Sequence, residues 1–490
     1  MMIAEAQQEP EIAKVDHVAT SEVPKGTGTK PERRGVMQSF TALCVRYVER
    51  LMPDPYLFAV ILTILVAGMV ALLVHGATPS GMLKAWYGGV WGSQNIFTFA
   101  FQMVLILVTG YTLAEAPVLK RAIVHIASKP NNQVQGALLC FSVSAVLSLL
   151  NWGLGLVAGA LVARQVAKRF TDAHFGYLIA AAFMGFIVWT QGLSSSIALA
   201  NTDSSSPINV IHKLTGITVP LSQTIFQPYS WLSAIAVLAL LALAVWRMAP
   251  TQSLAPDPAV FEDEVPPPVA PEAKTFAEWL ENLWILNVLV FAAGMAYFVM
   301  SGFALNISSM IMLFTITAAL LHRTPIRFIR AFTGAAKVSG PLLLQYPLYG
   351  GLVGLLGYVA TEGGKPLQTL LAQAVVSGAT EYTLPFLTFV GSLIISLFVP
   401  SGGGHWAVQG PIAVDSALAV GQHSTAYLGL ISMAVAVGEG VANMIQPFWL
   451  LPLLAIAKLN VRQVMGFTIV AFFIGFVVLG AMTLIAPHVI

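Results

Sequence analysis

Four clusters of small, uncharged polar residues interrupt long apolar runs in this chain, and each could hold a ligand through its backbone. Asn151-Trp152-Gly153-Leu154-Gly155 splits a run from Val134 to Ala163, and Pro400-Ser401-Gly402-Gly403-Gly404-His405-Trp406 splits one from Leu384 to Val414. Each run is followed by an apolar segment that breaks in turn, one at Thr190-Gln191-Gly192-Leu193-Ser194-Ser195-Ser196 and the other at Gly438-Glu439-Gly440-Val441-Ala442-Asn443 with Gln446 and Pro447 beyond. A broken helix frees N–H groups at one new end, which suit an anion, and carbonyls at the other, which suit a cation. Glycine admits a ligand close to the backbone, while Ser, Asn and Gln add hydrogen bonds without formal charge.

No Lys or Arg lies within any of the four clusters. That absence favours a small, weakly held anion, a monocarboxylate rather than a dicarboxylate or phosphate. The residues expected to form the substrate site are Asn151, Trp152, Gly153 and Gly155 at one break, and Ser401, Gly402, Gly403, Gly404, His405 and Trp406 at the other. Ser194, Ser195, Ser196, Asn201, Asn443 and Gln446 are expected to face them. His405 and Glu439 are ionisable at membrane depth, where such residues default to a functional role. With Asn151 and Asn443 they are the candidate ligands of a coupling cation, H⁺ or Na⁺. Gly, Ser and Asn also serve as packing surfaces between membrane helices, but break follows break at a spacing of about 40 residues in both halves.

The elements that position these residues follow from composition. The chain has 490 residues, 57% hydrophobic and 9% charged, where a soluble domain would carry about 25% charged residues. It reads as an all-α polytopic membrane protein. Spans are expected at 55–76, 95–114, 176–201, 229–247, 284–300, 303–321, 340–359, 425–457 and 464–487, nine crossings in all. A tight turn at Ser301-Gly302 separates two of them. The runs 134–163 and 384–414 are too short on each side of their breaks to cross comfortably, and read as re-entrant hairpins.

Positive charge stays cytoplasmic, and it sets the topology. With the N-terminus inside, 21 of the 24 Lys and Arg residues fall on the inner side, leaving only Lys84, Lys213 and Lys365 outside. The first hairpin then enters from the cytoplasm and the second from outside. Two halves of opposite orientation, with broken helices at the midplane, are the inverted repeats of a secondary transporter. The expected organisation is a disordered cytoplasmic tail at 1–35, a first repeat at 36–247, a Pro-rich acidic cytoplasmic linker at 248–283 and a second repeat at 284–490. The segment near Val36 to Leu51 looks amphipathic and suited to the inner surface, and the C-terminus is expected on the outer, periplasmic side.

The stretches NWGLGLVAGALVAR, VPSGGGHWAVQGPI and GVANMIQPFWLLPLLAIA resemble the signatures of the short-chain fatty acid transporter family, and the likeness extends from about Val36 to the C-terminus. The resemblance implies uptake of short monocarboxylates such as butyrate or acetoacetate across a bacterial inner membrane. The wider superfamily of ion transporters with paired hairpins implies cation symport, an elevator-like movement and a homodimer. Its Ser-Asn-Thr tip signature does not occur as such in this chain.

A passive anion channel is the rival reading, since it would use the same half-helix dipoles. No HExxH, G-x-S-x-G or phosphate-loop motif is present, so neither an enzyme nor an ATP-driven pump is expected. No cofactor other than the coupling ion is expected, and no nucleic-acid partner. The expected partners are the substrate, the bilayer and a second copy of the chain.

Overall fold

The computed structural model describes residues 36–490 apart from 52, 54, 93–96, 205, 207, 262–274, 304–306 and 400–401. The tail at 1–35, the acidic run Glu262-Asp263-Glu264 and Ser401 therefore lie outside the described residues.

The first half runs α1 (Val36–Leu51), α2 (Pro55–Leu73), α3 (Pro79–Trp91), α4 (Phe97–Ala114), α5 (Pro117–Ala127), α6 (Gln133–Leu150), α7 (Trp152–Arg169), α8 (Phe175–Gly185), α9 (Ser196–Asn201), α10 (Val210–Thr215) and α11 (Pro228–Arg247). The second runs α12 (Phe276–Glu281), α13 (Trp284–Met300), α14 (Ile307–His322), α15 (Pro325–Ala336), α16 (Gly340–Leu356), α17 (Leu367–Val376), α18 (Leu384–Ser396), α19 (Gly402–Ala419), α20 (Thr425–Ala442), α21 (Leu451–Ala457) and α22 (Arg462–Ile485). Among the described residues there is no strand.

Three of the sequence breaks are breaks in the structure, and the fourth falls later than expected, since α20 runs through Gly438 to Ala442 and gives way only at Asn443. Asn151 alone separates α6 from α7: its N–H donates to Leu147 O at the end of one helix, while its Oδ1 accepts from Leu154 N (3.0 Å) at the start of the next. A 3-10 turn, Phe186–Gln191, continues α8 up to the gap before α9, and another, Asn443–Ile445, ends α20 at Gln446-Pro447. The Ser301-Gly302 turn is present too, with Gly302 left-handed at φ 69°.

Among the described residues, six helical segments are long and apolar enough to cross a membrane, or seven if α4 and α5, bent by 74°, count as one. The nine expected crossings are thus not all matched by length. α13, α14 and α16 have 17, 16 and 17 residues, about 25 Å of helix against a hydrocarbon core of about 30 Å. α6, read from sequence as half a hairpin, passes the length test with 18 residues, whereas α18 with 13 falls short at about 20 Å. α3, α5, α15 and α17 were not anticipated.

Burial separates centre from periphery. In the broken segments Phe175–Asn201 and Thr425–Ile445, 89% and 94% of the apolar window is buried, against 22% in α2. The broken segments are therefore the middle of the molecule and α2 faces its surroundings. Around them the packing repeats. α6 and α7 pack on α8 as α18 and α19 pack on α20; α5 meets α7 as α17 meets α19; α6 meets α11 as α18 meets α22; and α2 and α3 pack on α16 as α14 and α15 pack on α4. α1 does not stand apart on a surface. It packs lengthwise on α22, with Phe40 against Phe473 and Val45 over Gly466.

The linker begins as a docked strap. Gln38 Nε2 donates to Ala249 O (3.1 Å), Gln133 Nε2 to Pro250 O (2.9 Å) and Phe175 N to Leu254 O (2.8 Å). The Arg164 guanidinium, 2% exposed, donates to Tyr111 Oη (3.2 Å) and to Val260 O. Proline-rich composition suggests a loose chain, yet carbonyls remain available for side chains of α1, α6 and α7 to bind.

Candidate substrate and ion site

Glu439 and Asn443 lie four residues apart at the end of α20, on one face. Both are fully buried. Trp189, in the turn that continues α8, donates from Nε1 to Asn443 Oδ1 (3.1 Å). The reverse arrangement occurs nearby: Trp406 of α19 donates from Nε1 to Asn201 Oδ1 (3.2 Å) at the end of α9. Each half thus lends an indole donor to an asparagine of the other. In both asparagines the Nδ2 end of the amide has no hydrogen-bond partner.

His405 projects from the first turn of α19 into the same region and is fully buried. Its Nε2 lies 2.6 Å from Gln409 Oε1, whose amide is fixed by donation from Gln409 Nε2 to Thr388 O (2.8 Å). An amide oxygen only accepts, so Nε2 carries a proton. In the neutral imidazole Nδ1 is then a bare acceptor, 4.0 Å from Glu439 Oε2. That separation is too long for a hydrogen bond, and neither carboxyl oxygen of Glu439 has a partner. Ser392 Oγ donates to Val435 O (2.6 Å), holding α18 to α20 just above.

Gly402, Ser196 and Trp189 close this cluster. A Cβ built on Gly402 would fall 3.0 Å from the Trp189 ring and 3.5 Å from Glu439 Oε2. Ser195 Oγ caps α9 by accepting from Ala198 N (3.4 Å), while Ser194 Oγ and Thr190 Oγ1 are buried without partners. Gln446, 1% exposed, has both ends of its amide unpaired. Native proteins pair nearly all buried polar atoms, so this concentration at the helix breaks marks a place suited to a polar ligand.

The expected residues divide into two groups. Ser194, Ser195, Ser196, Asn201, Gly402, His405, Trp406, Glu439 and Asn443 are brought together, with Gly403 and Gly404 following Gly402 in the first turn of α19. Trp152 and Gly153 face aromatic rings and Gly155 faces α6, while Leu149, two residues before Asn151, packs against Gly192 in the break before α9. Trp152 packs edge-on to Trp449 (4.7 Å), and Trp449 continues through Phe186 (6.1 Å) to Trp189 (5.8 Å). A narrow cleft there is lined by Leu107, Trp152, Gly153, Tyr346, Trp449 and Pro452 among others, and its free volume of about 10 Å³ is at the limit for one water. Asn151 Oδ1 is occupied by capping, and the space beside Gly155 is filled by α6, with Ser148 N 2.6 Å and Ser144 O 2.8 Å from where a Cβ would sit.

The two tryptophans expected to wall the site also differ. Trp406 is fully buried and Trp152 half-buried. Sequence reasoning missed Trp189 and Gln409. The four-residue step from His405 to Gln409 on one helix was a usable signal for the second.

Comparison with known proteins gives a consistent kinship. The family model described as short chain fatty acid transporter matches residues 36–485. A relative from Escherichia coli (strain K12), provisionally named a short-chain fatty acid transporter, is 36% identical over 438 residues, 87% of this chain and 94% of that protein. One from Haemophilus influenzae with the same provisional name is 34% identical over 443 residues, with the same coverage. Among solved structures, the Alcanivorax borkumensis YdaH transporter aligns over 89% of this chain and 98% of its own, at 17% identity and a TM-score of 0.44.

Proposed function

The chain belongs to the short chain fatty acid transporter family, a family of transporters rather than enzymes, and from that premise we propose that it takes up short-chain fatty acid anions by symport with H⁺ or Na⁺. Butyrate, acetoacetate or similar monocarboxylates are the substrates. One observation carries the reading: a fully buried cluster of unpaired amide, hydroxyl, imidazole and carboxyl groups where helices from both halves break, with no Lys or Arg among them. Donors without formal charge hold a single carboxylate and release it readily, whereas a second carboxylate or a phosphate would call for basic side chains.

The transporter works by alternating access between two inverted repeats, 36–247 and 284–490, in a bacterial inner membrane. The N-terminus is cytoplasmic and the C-terminus periplasmic. α6–α7 and α18–α19 form hairpins that enter from opposite faces, and the protein acts as a homodimer. The element-by-element recurrence of packing between the halves supports the repeats. The reciprocal Trp189–Asn443 and Trp406–Asn201 bonds support a site shared between them. Asn151 acts as the rigid tip of the first hairpin and Asn443 as a donor to the substrate.

Uptake of labelled butyrate and acetoacetate into proteoliposomes, with Na⁺ and H⁺ gradients imposed separately, tests the reading. Accumulation above the external concentration under one gradient, with saturation, is expected. Flux that neither saturates nor accumulates would replace the symporter with an anion channel.

A further inference from the structure

The N-terminus of a helix carries about half a positive charge from its aligned peptide dipoles. α19, 18 residues long, begins at Gly402. This end would attract a substrate carboxylate, yet a carboxyl group already faces it. Glu439 Oε2 lies 3.5 Å from the position a Gly402 Cβ would take, and Glu439 is fully buried with neither oxygen hydrogen-bonded. Its one ionisable neighbour among the described residues is His405, with Nδ1 4.0 Å away and Nε2 committed to Gln409.

Other charges are remote from the pair. Of the elements packed on α20, α18, α9 and the turns Phe186–Gln191, Leu221–Gln223 and Asn443–Ile445 carry no ionisable residue. α19 adds Asp415, α22 adds Arg462 and the turn Ala486–His488 adds His488, all exposed. Against α19, α17 adds none, and α10 adds a half-buried His212 and an exposed Lys213.

Without a proton between them, Glu439 and His405 carry one negative charge; with one proton they are neutral overall, wherever it sits. Two anions cannot share a buried helix end that has no basic side chain. We infer that one proton, held between Glu439 and His405, binds together with the substrate carboxylate at the N-terminus of α19. The inference rests on the monocarboxylate reading above and selects the proton from its two coupling ions. The charge balance follows: one anion and one proton enter the site and leave it together, so the site carries one negative charge both loaded and empty, and a full transport cycle moves no net charge.

Calorimetric titration of the purified protein with butyrate, in buffers of different ionisation enthalpy, counts the protons taken up. One proton per bound anion is expected above the pH at which the free pair loses its own, with affinity there falling about tenfold per pH unit. Glu439→Gln should abolish the proton uptake and flatten the pH dependence, while Asp415→Asn, exposed on α19, should behave as the unaltered protein does. Butyrate binding without proton uptake, or binding that requires Na⁺ instead, overturns the inference and leaves the substrate reading intact. Failure of both butyrate and acetoacetate to bind at any pH overturns both. If Glu439→Gln does not fold, the proton count of the unaltered protein decides alone.

Discussion

Trp189→Phe deletes one hydrogen-bond donor together with the outer part of a buried indole ring. The ring still stacks on Phe186, 5.8 Å away and inclined by 10°. The 3.1 Å bond to Asn443 Oδ1 disappears. Both residues are buried, so the carbonyl end of the amide is stranded, at a cost of about 1–3 kcal/mol. Part of that cost appears as lost stability. The rest appears in orientation, because the indole bond aims Asn443 Nδ2, the end of the amide that has no partner in the protein. If Nδ2 is a donor to the substrate, butyrate binding weakens by about 5-fold at least and roughly 150-fold at most. Calorimetric affinity and melting temperature in detergent are to be measured for Trp189→Phe, Asn443→Ala and the double variant. The affinity losses should be strongly non-additive, since either change alone disables the same donor. Unchanged affinity in Trp189→Phe together with a lower melting temperature would reduce the pair to a brace between the halves and refute the positioning argument.

Three further outcomes follow from the packing. Gly155→Val forces side-chain atoms into α6, where backbone stands within 3 Å of the Cβ position; it should cost about 3 kcal/mol or more and depress folded yield, read by size-exclusion chromatography. Arg164→Met removes the donor to Val260 O but also relieves a buried charge, so the melting temperature should change little. Hydrogen exchange across 250–261 should nevertheless quicken by about 10- to 150-fold, and unchanged protection would show that Arg164 does not pin the strap. His174 lies between α7 and α8, where burial holds its imidazole below the usual pKa and its own backbone hydrogen bond works the other way. Its Nδ1 accepts from Tyr177 N (3.1 Å), which only the neutral ring can do. The folded state therefore disfavours the proton, and the stability from this group is present above the unfolded value near 6.5 and lost as pH falls through the lower folded value. The melting temperature should decline below about pH 6.5 more steeply than in His174→Ser, whose neutral cap does not titrate.

The helix breaks were legible in the sequence because Asn, Gly and Pro end helices by local chemistry. Asn151, Gly192 to Ser195 and Gln446-Pro447 all lie where composition placed a break. α3, α5, α15 and α17 escaped notice for the opposite reason: at 10 to 13 residues they are shorter than the roughly 20-residue window that marks a span. Most of the expected site came together, whereas Trp152, Gly153 and Gly155 pack against aromatic rings and α6. Glu439, Asn443 and His405 could be placed at one depth by counting from the breaks. The indole bonds could not, since Trp189 and Asn443 are 254 positions apart and Trp406 and Asn201 205. Gly155 misled because a glycine that admits a neighbouring helix looks, in sequence, like one that admits a ligand.

The docked strap changes what the connection between the halves can transmit. Its described part, 249–261, is fastened to α1, α6, α7 and α8, so a displacement of any one of those helices is felt by the other three through the strap. Unpinning it would let the helix ends that it touches move independently, and the connection acts on the transporter through that fastened end.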